Sequence, residues 1–135
     1  MKNIYFLIAI LGIMPGILFG HHSFAAEYDR NSSVKLQGSV KQLEWTNPHA
    51  RLYVDVKDER GQVTTWNFEL GSPNQLRRMG WTREALQAGD VITVEGYRAK
   101  DGSNMANARK VTMADGKQVF AGSSGDTAES QNPPR

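Results

Sequence analysis

The chain has 135 residues, of which 39% are hydrophobic and 22% are charged, values typical of one folded globular domain. Its 16 basic and 14 acidic side chains leave a formal net charge of +2, which argues against the strongly basic surface that nucleic-acid-binding proteins use. The absence of cysteine excludes disulfides, thiolate nucleophiles and cysteine-ligated metal centres.

Residues 1–20 have the layout of a secretory signal peptide. Lys2 supplies a positive start, and residues 4–14 form an uncharged apolar run that is too short for a comfortable membrane span. Pro15 and Gly16 then interrupt the apolar helix. We therefore expect export to the periplasm, with no stable membrane span after cleavage.

Two cleavage sites fit this segment. Cleavage after Gly20 would make His21 the mature N-terminus, and this is the site we favour from the position of the helix break. Residues 23–25 match the small-x-small pattern better, and cleavage there would leave Ala26 as the first residue. An uncleaved N-terminal anchor is a third alternative.

Three segments of alternating apolar and polar residues predict a meander of three strands. They cover residues 34–45, 50–57 and 63–70, and a phase slip near Gln42 predicts a bulge in the first strand. Residues 46–48 and 58–61 have the composition of turns. The apolar face of the second strand consists of Ala50, Leu52, Val54 and Val56.

A helical connection and two further strands are predicted after the meander. Ser72 is a good N-cap and Pro73 a good first residue for a short helix that ends at Gly80. Residues 81–86 predict another helical turn, capped by Thr82. Residues 91–97 and 106–113 predict strands, and a turn at residues 115–116 leads into a short extension over residues 117–120.

This order of elements predicts an all-β fold, a small OB-like antiparallel barrel of about five strands with a short helical connection between the third and fourth. Another small antiparallel barrel or an open sandwich is the structural alternative. The predicted organisation is a signal peptide at 1–20, an N-terminal extension at 21–33, the barrel domain at 34–121 and a disordered polar tail at 122–135.

Several unusual phrases, among them HHSFAAEYD, EWTNPHARLYVDV and VEGYRAKDGSNMANA, resemble a family of small secreted bacterial proteins catalogued as domain of unknown function 6152. The resemblance covers nearly all of the chain between the signal peptide and the tail. It implies export and an OB-like β-fold, and it supplies no reaction or catalytic residue. The chain departs from the family at Gly20, where alanine often precedes the paired histidines.

The three histidines, His21, His22 and His49, form a candidate metal site. If His21 begins the mature chain, its α-amine and imidazole can chelate Cu(II), and His22 or His49 can complete a tetragonal nitrogen set. Met105 and Met113 could extend a copper site or fill gaps in the core. The alternative is that the paired histidines are a polar start to the chain and that His49 stabilises its turn.

Five aromatic residues could line a ligand-binding face or build the core, and we expect core packing for most of them. They are Tyr53, Trp66, Phe68, Trp81 and Tyr97. The acidic residues show no spacing that demands paired acid–base chemistry, and we expect them to remain solvated. These acidic residues are Asp55, Asp58, Glu59 and Glu69.

The sequence therefore predicts a non-enzymatic periplasmic binding module for a small ligand or an envelope protein. The alternative is a protein that binds or handles copper through the histidines. Nucleic acid is not an expected partner, because the chain carries an export signal and a nearly balanced charge.

Overall fold

The computed structural model describes residues 24–121, which form one six-stranded sheet with a single short helix in its connections. The predictions for the signal peptide, for His21 and His22 and for the tail lie outside the described residues. Among the described residues, no helix is long and apolar enough to cross a membrane. The elements are β1 (Tyr28–Glu44), β2 (Arg51–Lys57), β3 (Val63–Glu69), α1 (Pro73–Arg78), β4 (Val91–Ala99), β5 (Met105–Met113) and β6 (Gln118–Phe120).

The strands close into a barrel-like ring. Their order is β3-β2-β1-β4-β5-β6, and β3 also pairs with β5, so that β1 to β5 form a ring with β6 appended. The closing β3–β5 pairing is parallel, whereas the other pairings are antiparallel. This connectivity confirms the predicted OB-like arrangement of a three-stranded meander, a helical connection and two later strands.

The first strand is longer than its apolar pattern predicts. It begins at Tyr28 rather than at residue 34, and pairs with β4 from Tyr28 to Ser39 and with β2 from Ser39 to Glu44. Residues 28–33 are mostly polar, so the apolar pattern does not identify them as part of the strand. They join β1 because backbone hydrogen bonds to β4 do not require an apolar face. The predicted bulge is confirmed, because the register with β2 shifts between Val40 and Gln42.

The core fills the inside of the ring and follows the alternation of the strands. Ala50, Leu52 and Val54 are fully buried on one face of the β2 segment, as predicted. Trp66 and Phe68 of β3 stack with ring centroids 6.1 Å apart. Trp81 joins the same cluster from the connection between α1 and β4, so three of the five singled-out aromatic residues build the core.

The connection between β3 and β4 is only partly helical. Ser72 caps α1, because its Oγ accepts a hydrogen bond of 3.2 Å from the backbone N–H of Gln75. The second predicted helical turn is wrong, since residues 82–85 form a turn without helix. Trp81 and Leu86 are both buried against the core. An α-helix would place side chains five positions apart on different sides, so a helix over this segment would not bury both residues.

Candidate functional site

A row of side chains crosses four neighbouring strands on the outer face of the ring, where β3 and β5 close it. Successive members are direct partners in the β2–β3, β3–β5 and β4–β5 pairings. Phe68 and Ala106 are fully buried in the core, and each comes directly before a member of the row in the chain. Successive side chains of a strand point to opposite faces of the sheet, so the row points outward. The row consists of Arg51, Glu69, Asn107 and Tyr97.

The segment ahead of β1 packs over this row. Phe24 is 6% exposed, and its ring centroid lies 5.5 Å from that of Tyr28 and 6.0 Å from that of Tyr97. The backbone N–H of Lys100 donates to the carbonyl of Glu27 over 2.8 Å, which ties the segment to the end of β4. This second, smaller apolar cluster therefore lies outside the ring and forms a wall above the row.

A cavity of about 270 Å³ lies between this wall, the row and the β1–β2 loop. The wall contributes aromatic surface, whereas the strands contribute charged and amide side chains. Such a mixture of apolar surface and a few polar groups is typical of small-molecule sites. Its lining residues are Phe24, Glu27, Tyr28, Pro48, His49, Arg51, Glu69 and Asn107.

The buried carboxylate of Glu69 organises this cavity. Its Oε2 accepts a hydrogen bond of 2.8 Å from the Tyr28 phenol, and its Oε1 lies 3.1 Å from His49 Nδ1. Arg51 Nη2 lies 3.6 Å from Oε2. The prediction that Glu69 remains solvated is wrong, because the residue is only 8% exposed. These partners compensate the cost of burying a charge at the end of β3.

Tyr28 acts as a hydrogen-bond donor in this cluster. Burial raises the pKa of its phenol above the ordinary value, and the negative charge of Glu69 raises it further. The phenol therefore keeps its proton at neutral pH and can donate it to Glu69. Since Glu69 accepts from Tyr28 and its Oε1 lies 3.1 Å from His49 Nδ1, the carboxylate connects the start of β1 with the β1–β2 loop.

Asn107 lines the cavity and has a side-chain acceptor without a partner. The residue is 2% exposed, and its Oδ1 is buried without a hydrogen-bond partner among the described residues. A buried acceptor left unsatisfied costs about 1–3 kcal/mol, so native proteins seldom retain one without a reason. Trp45 Nε1 is also buried and unpartnered, but Trp45 does not line the cavity.

Of the three candidate metal-binding histidines, His49 alone lies within residues 24–121. Its side chain is 31% exposed and lines the cavity, and Nδ1 faces Glu69. The described residues contain no group of three His, Cys, Asp or Glu side chains that could hold a metal ion. Met105 packs in the outer cluster beside Phe24, and Met113 packs against the main core. The proposed meeting of His49 with His21 and His22 involves residues that the structure does not describe.

The aromatic residues of the cavity differ from those singled out in the sequence. Tyr53 lies on the outer face of β2 and donates to Glu44 over 3.2 Å, and Tyr97 packs against Phe24. The cavity itself is lined by Phe24 and Tyr28. Their four-residue spacing within the phrase HHSFAAEYD is the signal that could have identified them.

Comparison with known proteins yields one match. A family model described as a family of unknown function (DUF6152) matches residues 13–108, a range that includes every residue lining the cavity. Comparisons with curated proteins and with solved structures find no match.

Proposed function

The chain belongs to the family of unknown function DUF6152, and we propose that it acts as a periplasmic, non-enzymatic binding module whose small-molecule site is the cavity beside Asn107. The observation that carries this proposal is the buried, unpartnered Oδ1 of Asn107. A ligand that donates a hydrogen bond to this atom would satisfy it, whereas residues 24–121 provide no partner for it.

The size and the walls of the cavity support a small ligand. A volume of about 270 Å³ lies near the lower end of the roughly 300–1,000 Å³ of typical small-molecule pockets. Phe24 and Tyr28 provide apolar contact area, and the ladder between β3 and β5 holds Asn107 beside Glu69. A site built on paired strands is positioned more rigidly than one built on loops.

The contacts of Glu69 support binding rather than catalysis. One of its carboxylate oxygens accepts a hydrogen bond from Tyr28, and the other lies 3.1 Å from His49 Nδ1. A general base needs a free carboxylate oxygen within hydrogen-bonding reach of a substrate proton. Glu69 instead shapes the cavity by holding its two neighbours in place.

Replacement of Asn107 with Leu tests the proposal. Leucine has a similar size and no polar atom, so Asn107→Leu should leave the melting midpoint unchanged or raise it while abolishing ligand binding. Small polar compounds would be screened by NMR against ¹⁵N-labelled protein that begins at His21. Compounds that bind should shift the backbone amides of Tyr28 and Glu69, which both proteins contain, in the original protein only.

Asn67→Leu is the matched control. Asn67 lies on β3 and accepts a hydrogen bond of 3.3 Å from Arg51 Nη1, and it does not line the cavity. This variant should bind the same compounds as the original protein. Binding that survives Asn107→Leu, or a screen in which no compound shifts a cavity residue, would overturn the proposed site.

Export is supported by the layout of residues 1–20 and is tested separately. Expression of the full chain in a Gram-negative host, followed by fractionation and intact mass measurement, should yield a periplasmic protein that begins at His21. A cytoplasmic product of full mass would contradict export, and a product that begins at Ala26 would lack the paired histidines.

The environment of His49 favours copper binding as a second candidate function. Metal-binding histidines commonly donate one ring N–H to a carboxylate, which leaves the other nitrogen free for the metal. His49 Nδ1 lies 3.1 Å from Glu69 Oε1, and Nε2 makes no hydrogen bond with the described residues. In the sequence, His22 precedes the cavity residue Phe24 by two positions. The residues that would complete the copper site are the α-amine and imidazole of His21, with His22.

Calorimetry on metal-free protein that begins at His21 tests this candidate. One Cu(II) should bind more tightly than Zn(II), and acidification should release it, because protons compete for the imidazole and amine nitrogens. One additional residue before His21 should weaken binding by displacing the terminal amine, and His49→Ala shows whether the loop supplies a ligand. Affinity no greater than that of a scrambled terminal peptide would contradict the copper site.

A further inference from the structure

We infer that Asn31, on the long first strand, is an acceptor site for N-linked glycosylation. The inference goes beyond the proposed binding function and rests on the proposed export, because N-linked glycans are carried by secreted proteins. The second substrate of the reaction is an oligosaccharide attached to a lipid diphosphate.

The sequence around Asn31 has the form of a glycosylation acceptor. Ser32 and Ser33 follow Asn31, which gives the Asn-x-Ser pattern without proline at the middle position. Asp29 lies two positions before Asn31, so the segment also has the acidic residue that bacterial oligosaccharyltransferases require. No other asparagine in the sequence has serine or threonine two positions later. The pattern therefore points to one side chain.

The structure places this pattern in a bulge of β1. The register between β1 and β4 shifts between Tyr28 and Ser33, and the residues between them, 29–32, lie opposite Arg98 alone. The pairing of β1 with β2 begins only at Ser39. The bulge therefore lies outside both regular ladders. An enzyme that binds the backbone on both sides of the asparagine competes with fewer ladder hydrogen bonds here than in the rest of the strand.

The Asn31 side chain is accessible to such an enzyme. The residue is exposed, and within residues 24–121 its side chain makes no hydrogen bond or ion pair. Its backbone N–H donates to Asp29 Oδ1 over 2.9 Å, which forms a local turn of the kind that Asp favours. Asn31 does not line the cavity, so its modification is compatible with a binding site there.

The transfer forms one bond and breaks one. Asn31 Nδ2 attacks the anomeric carbon of the first sugar, and the bond from that carbon to an oxygen of the lipid diphosphate breaks. The lipid diphosphate leaves with the electron pair, and the amide nitrogen loses one proton. A separate oligosaccharyltransferase catalyses the step, so this chain provides only the acceptor side chain.

Expression in a Gram-negative host that carries a bacterial oligosaccharyltransferase and a lipid-linked oligosaccharide of known mass tests the inference. The periplasmic protein should gain the mass of one oligosaccharide, and peptide mass spectrometry should assign it to Asn31. Asn31→Gln and Ser33→Ala should each abolish the gain in mass without changing the unfolding midpoint, because both positions are exposed.

Two further variants test the acidic residue and the bulge. Asp29→Asn keeps an oxygen that can accept from the Asn31 N–H and removes the charge, so the fold should remain while most of the modification is lost. The second variant combines Ser33→Asp, Lys35→Asn and Gln37→Ser. It moves the acceptor pattern to exposed residues of β1 that pair regularly with β4. Incubated as purified, folded proteins with the enzyme and the lipid-linked oligosaccharide, the original protein should be modified and this variant should remain largely unmodified.

The outcomes separate this inference from the proposed function. Periplasmic protein of unmodified mass, or an oligosaccharide that persists in Asn31→Gln, would overturn the acceptor site and leave export and the binding module intact. Equal modification of Asp29→Asn would overturn the role of the acidic residue, and equal modification of the moved pattern would overturn the role of the bulge. A cytoplasmic product would overturn export and this inference together.

Discussion

The phenol of Tyr28 donates a hydrogen bond of 2.8 Å to Glu69 Oε2 and so connects the first residue of β1 with the last residue of β3. The two residues are 41 positions apart in the chain. Because the Tyr28 ring packs against the Phe24 ring, the hydrogen bond helps to hold the segment ahead of β1 against the outer face of the sheet.

Replacement of Tyr28 with Phe should lower the free energy of unfolding by about 1–3 kcal/mol, because the buried Glu69 carboxylate loses a donor. Urea denaturation measures the change. Tyr53→Phe is the control, since the Tyr53 phenol donates to Glu44 in a more open position. If the two variants lost the same free energy of unfolding, the burial of Glu69 would not strengthen its hydrogen bond with Tyr28.

The same phenol should make the protein sensitive to alkaline pH. Burial, together with the Glu69 charge, raises the pKa of Tyr28 in the folded state above the ordinary 10.0 of the unfolded chain. A raised folded pKa provides stability that is complete below the unfolded pKa and is lost as the pH rises above it. The unfolding free energy should therefore fall more steeply above about pH 10 in the original protein than in Tyr28→Phe. If the unfolding free energies of the two proteins fell equally with rising pH, the raised pKa of Tyr28 would be contradicted.

The position of the mature N-terminus should affect both stability and binding. A chain that begins at Ala26 lacks Phe24, whose burial contributes roughly 1.5–3 kcal/mol on a scale for buried apolar side chains. Thermal unfolding should show a lower midpoint than for the chain that begins at His21, and binding of compounds at the cavity should weaken. Phe24→Ala in the longer chain should reproduce most of the loss. Identical midpoints for all three proteins would show that the Phe24 wall does not stabilise the fold.

Gly96 should tolerate no side chain. A Cβ at this position would lie 2.0 Å from the backbone oxygen of Asn107, and neither strand can move without disturbing the β4–β5 ladder. Gly96→Ala should therefore destabilise the protein by about 3 kcal/mol or more, at the upper end of overpacking effects. Denaturation measures the loss, and Thr93→Ala on the same strand is the control. If Gly96→Ala lost no more stability than Thr93→Ala, the backbone around Gly96 would have moved to accommodate the added Cβ.

The C-terminal boundary of the folded domain should lie at Ala121. This residue is buried, and its backbone N–H donates to the Arg109 carbonyl over 2.7 Å. Deletion of residues 122–135, which are polar, should leave the unfolding midpoint nearly unchanged. Deletion of residues 118–135 removes β6 and Ala121 as well, and should lower the midpoint. A large loss from the shorter deletion would assign the tail a structural role.

The local elements were largely predictable from the sequence. Strand alternation identified the buried face of Ala50, Leu52 and Val54, and the side chain of Ser72 identified the start of α1. These features depend on residues a few positions apart, which is the range over which strand periodicity and helix capping operate. The second helical turn failed because the burial of Trp81 and Leu86 in a distant core overrides a local cap signal.

The sequence by itself determined the strands, their order along the chain and a β-fold that does not depend on disulfides. Only the tertiary structure decided that Glu69 is buried and that Asn107 lies beside it, because the parallel β3–β5 register joins segments that are distant in the chain. A glutamate at a strand end is usually solvated. Here the packing of Phe24 and Tyr28 over the ring removes water from it, and no local pattern encodes that coverage.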